Sequence, residues 1–319
     1  MSYFEYRSFK DLNDIIIKKL SLFPRDIDVI VGIPRSGMLP ANLLALYLHK
    51  PFVDIDSFVE GKAYSMGGRS KFLSHTITNR VLVIDDSIAS GNALEKAKEK
   101  LKKVSDKYEI VYGAIYSTTL ASKKVDVYCE IIDGSLVFEW NLFLYPKILS
   151  KSFIDIDGVL CPDPPIDDDG EIYLNYITNA PPLYIPATEV DTVITCRLEK
   201  YRAVTEKWLK RNDVKYKNLV MLDLPDKKAR EVWGKYGEYK GEHYKKSDCV
   251  LFIESSLNQA SDIRSVSNKA VFCTETYSMI NSSSQKTKNK VKTFFESAIM
   301  KYLPNQYELA KKLYNKLKF

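Results

Sequence analysis

The stretch Arg80-Val81-Leu82-Val83-Ile84-Asp85-Asp86-Ser87-Ile88-Ala89-Ser90-Gly91-Asn92-Ala93 decides the fold. Its run of four apolar residues, beginning at Val81, predicts a short strand that is buried on both faces, as in a parallel sheet. Two adjacent carboxylates follow, then a turn of small residues, and Ala93 opens a segment with helical periodicity. The stretch therefore predicts a strand–loop–helix unit of an α/β protein.

The loop of this unit has the composition of an anion-binding site. Backbone N–H groups at the start of a helix, together with the helix dipole, favour a phosphate there. Gly91 allows a close approach of the backbone because it has no Cβ, and the hydroxyls of Ser87 and Ser90 add donors. Asp85 and Asp86 repel a phosphate, but they can accept hydrogen bonds from vicinal hydroxyls and lie near a divalent ion. A phosphate at one end and a diol at the other describe a ribose 5-phosphate.

The order of these residues resembles the signature with which type I phosphoribosyltransferases bind phosphoribosyl pyrophosphate (PRPP), Asp-Asp-x-x-x-Thr-Gly-x-Thr. Ser90 stands in place of the first Thr and Ala93 in place of the second, which removes one hydroxyl from the phosphate cradle. The resemblance implies catalytic roles for Asp85 and Asp86. The structural alternative is an ordinary strand-to-helix turn with two solvated acids.

A second part of the resemblance lies some fifty residues earlier. An apolar run at 28–33 predicts a buried strand, and Pro34-Arg35-Ser36-Gly37 follows it. In these transferases this turn holds the pyrophosphate, and the planar fork of Arg35 suits phosphate oxygens. The glycine- and lysine-rich run at 61–71 resembles the flap that closes over PRPP, although a solvated hairpin tip is the alternative. The region 57–79 is expected to recognise the acceptor.

The resemblance implies a PRPP-binding set of fourteen residues. They are Arg35, Ser36, Gly37, Asp85, Asp86, Ser87, Ala89, Ser90, Gly91, Asn92 and Ala93, with Lys62, Arg69 and Lys71 from the flap.

A different motif begins at Phe153-Ile154-Asp155-Ile156-Asp157-Gly158-Val159-Leu160. Alternation along a strand places Asp155 and Asp157 on the same side, and Gly158 permits a sharp turn. The motif resembles the first motif of HAD-superfamily phosphatases. The resemblance implies that Asp155 is the nucleophile that forms an aspartyl-phosphate, and that Asp157 protonates the leaving alkoxide and later activates water.

The other parts expected of such a phosphatase follow in order. Thr195 ends a predicted strand at 190–197 and would hold a phosphate oxygen, while Glu254 ends a predicted strand at 249–256. Lys240, placed at the start of a predicted helix 241–246, would balance the charge of Asp155, with Lys245 and Lys246 as alternatives. Carboxylates that face a phosphate need a cation between them, so Mg²⁺ is expected, held by Asp155, Asp157 and Glu254. The segment 161–187 is too short for a large cap.

The chain is long for one domain, with 319 residues, and two domains are expected. We predict an α/β chain with two Rossmann-like parallel-sheet domains: a type I phosphoribosyltransferase domain at 1–149 and a HAD-like domain with a small cap or none at 150–275. A basic helical extension is expected at 276–319. The last helix of this extension either packs onto the body of the protein or contacts an anionic membrane, and the sequence does not decide between these alternatives.

Composition restricts the class of protein. The five cysteines are scattered without a Cys-x-x-Cys pair, which indicates a reducing compartment. The start of the chain does not resemble a signal peptide, no apolar run has transmembrane length, and a cytoplasmic protein is expected. Residues 276–319 hold nine Lys and two Glu, and this excess of seven charges exceeds the net charge of +6. The remainder is nearly neutral, so no nucleic-acid partner is expected.

The two motifs together suggest consecutive reactions. The chain resembles bacterial systems that install ribofuranose in surface polysaccharides, in which a PRPP-dependent transferase adds 5-phosphoribose to a lipid-linked glycan and a HAD phosphatase removes the phosphate. This predicts a β-ribofuranosyl product on a sugar hydroxyl. Two alternatives are a nucleobase phosphoribosyltransferase fused to a nucleotidase and a PRPP-sensing regulator. The sequence does not indicate an oligomeric state.

Overall fold

The computed structural model describes residues 4–62, 79–165 and 170–280, and the chain divides into two compact units between Asn141 and Leu142. The strands are β1 Glu5–Arg7, β2 Val29–Gly32, β3 Phe52–Asp54, β4 Arg80–Ile88, β5 Glu109–Ser117, β6 Val127–Ile131, β7 Leu136–Phe138, β8 Ser152–Ile154, β9 Val190–Leu198, β10 Tyr216–Leu222, β11 Leu251–Glu254, β12 Ala270–Cys273 and β13 Ser278–Met279. The α-helices are α1 Phe9–Lys18, α2 Met38–Leu48, α3 Ile55–Val59, α4 Asn92–Leu101, α5 Pro146–Leu149, α6 Glu171–Asn179, α7 Arg202–Arg211, α8 Lys227–Trp233, α9 Tyr236–Lys245 and α10 Leu257–Ser267.

The first unit is built on a five-stranded sheet in the order β3-β2-β4-β5-β6, in which every pair is parallel. Apolar side chains of its strands alternate between two core clusters, so that Leu82 and Ile84 lie in one and Val81 and Val83 in the other. Because both faces of the sheet are covered, its strands are continuous apolar runs. The predicted α/β class of this unit is confirmed.

Strand β4 is the centre of this sheet and carries the predicted motif. It pairs with β2 through Ile84 and Gly32 and with β5 through Asp85 and Ala114. The strand was expected to end at the acid pair, but pairing with β5 continues to Ile88. Asp85 and Asp86 therefore lie at the carboxyl end of a central parallel strand, where open α/β sheets bind ligands.

The second unit has a six-stranded sheet in the order β10-β9-β8-β11-β12-β13. Its first five strands are parallel, and β13 pairs antiparallel with β12. The three strands β9, β8 and β11 are neighbours, so their carboxyl ends lie side by side. These ends carry Thr195, Asp155 and Glu254, three of the predicted site residues. Within the described residues, no helix is long and apolar enough to span a membrane.

Helix α9 begins earlier than predicted and alters the position of one site residue. The predicted helix began at Gly241, whereas α9 spans Tyr236–Lys245, so Lys240 lies in the middle of the helix. The glycines of α9 are sites of close helix packing, because a Cβ on Gly237 would lie 2.6 Å from Cβ of Asp262 on α10. They therefore do not interrupt the helix as turn glycines would.

The limits of the units also differ from the expected ones. Residues 142–149 were assigned to the first domain, but the structure places them in the second unit. The side chain of Ser152 donates a hydrogen bond to the carbonyl of Ile148, which ties α5 to β8. At the other end, residues 276–280 were expected in the extension, yet β13 belongs to the sheet and Ile280 is buried in its core. The rest of the predicted extension, 281–319, lies outside the described residues.

Two smaller features concern the first unit. Strand β3 ends at Asp54, because the Asp54 carboxylate accepts hydrogen bonds from the amides of Asp56 and Ser57 and caps α3. Helix α2 begins at Met38, immediately after Gly37. This places the helix N-terminus directly beside the predicted pyrophosphate-binding turn.

Candidate active sites

The turn after β2 lies against the acid pair of β4. A Cβ on Gly37 would lie 2.4 Å from the carbonyl oxygen of Ile33 and 2.8 Å from Oδ1 of Asp85. Only glycine allows this approach without a shift of the backbone. The exposed Arg35 donates a hydrogen bond from Nη2 to Oδ1 of Asn141, and the Pro34–Arg35 peptide bond is cis. The structure therefore brings the predicted turn and the predicted acid pair together.

Asp85 and Asp86 are buried, with 7% and 4% of their surfaces exposed. The backbone N–H of Asp86 donates to Oδ1 of Asp85 at 2.9 Å, and that of Ser87 donates to Oδ1 of Asp86 at 2.9 Å. Burial and the neighbouring charge of Asp86 raise the pKa of Asp85 to about 8. Burial also raises the pKa of Asp86, against the hydrogen bonds that it accepts. Such a pair retains a proton at neutral pH, and a cation bound beside it would displace that proton to solvent.

The loop between β4 and α4 has the geometry of an anion site. Gly91 has a φ of +84°, a left-handed conformation that favours glycine, and it immediately precedes α4. The amide of Asn92 donates to Oγ of Ser90 at 3.3 Å, and the hydroxyl of Thr118 donates to the carbonyl of Ala89 at 3.2 Å. The first N–H groups of α4, Ala93 included, have no partner within the helix and face outward from its N-terminus.

One cation beside this loop was not predicted. Nζ of Lys124 donates to the carbonyl of Ser90 at 3.0 Å, and a Cβ on Gly91 would lie 2.8 Å from Cδ of Lys124. Lys124 follows the loop by more than thirty residues and belongs to a Lys-Lys pair in a 3₁₀ helix. The sequence contains no signal that would distinguish it from other surface lysines.

The flap residues are only partly described. Lys62 is exposed and forms an ion pair with Glu60. Arg69 and Lys71, with most of the expected flap and acceptor region, lie outside the described residues. The predicted roles of these three residues stay predictions.

In the second unit, Lys240 bridges two buried carboxylates. Its Nζ lies 2.7 Å from Oδ2 of Asp155 and 2.7 Å from Oε2 of Glu254. The three side chains are almost wholly buried, with at most 6% of any one exposed. Lys245, one of the alternatives, is half-exposed and lies 4.0 Å from Glu242. The geometry therefore selects Lys240 as the partner of Asp155 among the lysines that were considered.

One lysine does not balance two carboxylates. Burial raises the pKa of Asp155 well above its usual range, the charge of Glu254 raises it further, and Lys240 only partly opposes these effects. Burial alone would lower the pKa of Lys240, but the charges of Asp155 and Glu254 outweigh it, and that pKa is raised. The cluster would therefore hold one excess negative charge away from water when both carboxylates are ionised, and the raised pKa of Asp155 shows that this state is disfavoured without a further cation.

The carboxylate of Asp157 is held by Arg197, which the sequence analysis did not include. Nε of Arg197 lies 3.2 Å and 3.0 Å from the two oxygens of Asp157, and Nη2 lies 2.5 Å from Oδ1. The hydroxyl of Thr195 accepts a hydrogen bond from the amide of Arg197 at 3.1 Å. A charged residue two positions after Thr195, within a buried strand, was the available signal for Arg197.

These side chains line an open cleft of about 620 Å³. Gly158 has a φ of +76°, and a Cβ there would lie 2.4 Å from Oγ of Ser255, so the turn after β8 packs tightly against the end of β11. The cleft is lined by acids, bases and aromatic rings, including Asp155, Asp157, Asp163, Tyr173, Tyr184, Thr195, Arg197, Arg230, Tyr236 and Lys240. The cleft has room and donors for a phosphorylated ligand.

The prediction that Asp155, Asp157 and Glu254 together hold Mg²⁺ stays a prediction, and the geometry bears on one of these ligands. Within the described ranges, no group of three or more His, Cys, Asp or Glu side chains could hold a metal ion. The Asp157 carboxylate is bound to Arg197 instead, which leaves Asp155 and Glu254. Their excess negative charge and hard oxygen donors do fit Mg²⁺, which is commonly held by one or two carboxylates together with substrate oxygens.

Comparisons with known proteins match the first unit. Residues 4–142 match the family model described as phosphoribosyl transferase domain. An adenine phosphoribosyltransferase of Mycoplasmopsis synoviae is 27% identical over 124 residues, which are 35% of this chain and 73% of that protein. The transcriptional regulator GfcR of Methanococcoides burtonii is 27% identical over 95 residues, 29% of this chain and 47% of the regulator.

Solved structures that are similar to part of this chain include two phosphoribosyltransferases. A purine phosphoribosyltransferase from Pyrococcus horikoshii is 23% identical, with a TM-score of 0.33, and the match covers 43% of this chain and 93% of that one. A xanthine-guanine-hypoxanthine phosphoribosyltransferase of Helicobacter pylori is 16% identical, with a TM-score of 0.33, over 45% of this chain and 96% of that one.

Proposed function

We propose that residues 4–142, which match the phosphoribosyl transferase family model, form a type I phosphoribosyltransferase domain that acts in series with a phosphatase site in the second unit. The first site transfers 5-phosphoribose from PRPP to a sugar hydroxyl of a glycan or lipid-linked glycan. The second site removes the 5-phosphate of that product. The net result is a β-linked ribofuranose of a surface polysaccharide.

In the first reaction, the acceptor oxygen attacks C1 of PRPP while the bond from C1 to the pyrophosphate oxygen breaks. The transition state resembles an oxocarbenium ion, and the hydroxyl proton passes to a base. Asp85 and Asp86 would accept hydrogen bonds from the ribose hydroxyls. The amides of the loop that ends at Gly91 would hold the 5-phosphate, and Arg35 would hold the departing pyrophosphate.

In the second reaction, Asp155 attacks the phosphorus atom and the bond from phosphorus to the C5 oxygen breaks. Asp157 supplies the proton that the departing alkoxide needs, and the aspartyl-phosphate is then hydrolysed to inorganic phosphate. Thr195 would hold a phosphoryl oxygen, and Lys240 would orient Asp155. Mg²⁺ held by Asp155 and Glu254 would neutralise charge on the transferred phosphoryl group.

One observation carries the proposal: a nucleophile-and-lysine cluster opens into a cleft on the same polypeptide as a PRPP loop. Buried Asp155 with Lys240 at 2.7 Å has the arrangement that phosphoryl transfer through an aspartate requires. A phosphoribosyltransferase product always carries a 5-phosphate, so a phosphatase on the same chain has a substrate at hand.

The experiment compares the products of three full-length chains by mass spectrometry. Each is incubated with PRPP, Mg²⁺ and a panel of glycans that includes a lipid-linked N-acetylglucosamine mimic. We expect the wild type to add a pentose, Asp155→Asn to add a pentose phosphate, and Asp85→Asn to add neither. If no glycan of the panel gains a pentose, the acceptor class is wrong. A pentose phosphate on the wild-type product would instead refute the phosphatase step.

A second candidate is a nucleobase phosphoribosyltransferase fused to a nucleotidase. The observation that favours it is the similarity to an adenine phosphoribosyltransferase. The same assay with adenine, hypoxanthine, guanine or orotate distinguishes the two, because nucleosides would then replace the glycan product. A PRPP-sensing regulator, suggested by the similarity to GfcR, would release no pyrophosphate with either kind of acceptor.

A further inference from the structure

Arg197 has donors that the described residues leave unpaired. Its side chain is 1% exposed, yet Nη1 has no hydrogen-bond partner among the described residues. The other end of the guanidinium is fully engaged, since Nε and Nη2 bind Asp157 and Nη2 also reaches Sγ of Cys161 at 3.4 Å. A buried donor of a charged group that lacks a partner is costly, so Nη1 requires an acceptor from outside these residues.

The position of Arg197 indicates what that acceptor is. Arg197 lines the cleft together with Asp155, Thr195 and Lys240, the residues assigned above to the phosphoryl group. Oxygen atoms of a phosphoryl group are the acceptors for which a guanidinium is best suited. The unpaired Nη1 of Arg197 is therefore part of a side chain that lines the cleft in which the phosphorylated substrate is expected to bind.

The fork on Asp157 has a second consequence. Asp157 is 20% exposed in its side chain and is held at both oxygens by a rigid, buried partner. Oδ1 accepts hydrogen bonds from both Nε and Nη2, whereas Oδ2 accepts from Nε alone, so Oδ2 is the oxygen that can take up a proton and deliver it to the ester oxygen in a fixed orientation. Arg197 thus contacts the Asp157 carboxylate with one edge and has Nη1 available for the phosphoryl group of the substrate.

We propose that Arg197 binds a phosphoryl oxygen of the substrate through Nη1 while its Nε–Nη2 edge positions Asp157 as proton donor. This deepens the phosphatase step proposed above and rests on it. Arg197 is then a substrate-binding residue that also acts as a positioning residue for Asp157. A solely structural arginine would support the cleft without affecting either phosphate affinity or proton delivery.

The test compares full-length wild type, Arg197→Lys and Arg197→Met, with Arg202→Met as matched control. Arg202 also forks a carboxylate, that of Glu199, but it does not line the cleft. Hydrolysis of ribose 5-phosphate, which has a poor leaving group, is compared with that of p-nitrophenyl phosphate, which needs no proton donor. Inorganic phosphate serves as competitive inhibitor, and its binding is also titrated by calorimetry.

We expect Arg197→Met to lower kcat for ribose 5-phosphate roughly 100-fold, because general acid catalysis commonly contributes about that factor to the rate. The loss of kcat for p-nitrophenyl phosphate should be much smaller. Phosphate should bind roughly tenfold or more weakly, as for one charge-assisted hydrogen bond. Lysine should restore part of the phosphate affinity without restoring the leaving-group dependence, because it lacks the fork. Arg202→Met should match the wild type.

Other outcomes are equally informative. Equal losses for both esters with unchanged phosphate affinity, in a folded variant, would show a solely structural arginine and leave the phosphatase proposal standing. If the wild type hydrolyses neither ester, the proposed phosphatase function fails. The calorimetric titration then decides on Arg197 separately, since the loop of the first unit is the same in every variant. Unchanged phosphate binding in Arg197→Met would refute the proposed contact.

Discussion

Replacement of Lys240 by Met provides the sharpest test of the cluster in the second unit. Methionine keeps most of the length of the side chain and removes its charge, so the packing of α9 against the sheet is largely preserved. Asp155 and Glu254, each 2.7 Å from Nζ in the wild type, then lose their only shared cation among the described residues. Breaking a buried ion pair in this way costs about 3–5 kcal/mol.

The size of this effect depends on pH, and the direction follows from the pKa shift. A carboxylate whose pKa is raised by folding binds its proton more tightly in the folded state, so folding becomes less favourable as pH rises above the unfolded value near 4. Burying one such group in neutral form costs about 4 kcal/mol at pH 7 and about 1.4 kcal/mol at pH 5. The Asp155 pKa is already raised in the wild type, and the variant loses the Lys240 charge that opposes this shift, so Asp155 should bind its proton still more tightly. The difference between variant and wild type should therefore narrow as pH falls.

The assay is urea unfolding of the full chain, followed by fluorescence and circular dichroism at pH 5 and pH 7.5. Lys245→Met is the control, because Lys245 lies on the same helix but is half-exposed and should change the free energy of unfolding by about 0.5 kcal/mol at most. Loss of less than about 1 kcal/mol in Lys240→Met at pH 7.5, or an equal loss in both variants, would refute the assignment. The double variant Lys240→Met/Glu254→Gln should recover part of the stability, since it restores the balance of charge.

Two further predictions concern the first unit. Folding raises the pKa of Asp85 to about 8, so the free energy of unfolding should fall between pH 4 and pH 8 by up to about 1.4 kcal/mol per pH unit. Asp85→Asn should flatten this slope. If urea titrations show the same slope in the variant and the wild type, the buried acid pair is contradicted. Gly37→Ala places a methyl group 2.4 Å from the Ile33 carbonyl and 2.8 Å from Asp85. It should destabilise the unit by about 1–3 kcal/mol and abolish pyrophosphate release, and a variant with wild-type stability would show that the turn is not packed as described.

The strand motifs were predictable because one sheet position imposes several requirements at once. A strand buried on both faces needs an apolar run, and a ligand at its carboxyl end needs polar or small residues immediately afterwards. Residues 80–93 meet both requirements, and the sequence therefore indicated β4 and its loop with little ambiguity. The continuation of β4 to Ile88 was not predictable, because it depends on pairing with Tyr116 and Ser117 of β5, which no local pattern encodes.

Glycines were interpreted less well, because the same residue serves opposite purposes. Gly91 and Gly158 were expected in turns, and both adopt a left-handed backbone. Gly237 and Gly241 lie inside α9, where the missing Cβ allows α10 to approach; a Cβ on Gly241 would lie 2.9 Å from Cβ of Val266. Deciding between these uses requires knowledge of the partner helix, so the predicted start of α9 was wrong, although Lys240 does lie beside Asp155.

Charge balance explains why Arg197 was missed and why Lys240 was not. A lysine was expected because the charge of Asp155 needs a partner, and Mg²⁺ was the only cation expected beside Asp157. The structure instead divides the cations, so that Lys240 serves Asp155 and Glu254 while Arg197 serves Asp157. In the proposed phosphatase step, the carboxylate that gives up a proton and later takes one back must be kept apart from the carboxylate that attacks phosphorus. Two separate cations achieve that separation within one cleft, and this is the physical reason to expect different effects from Lys240→Met and Arg197→Met.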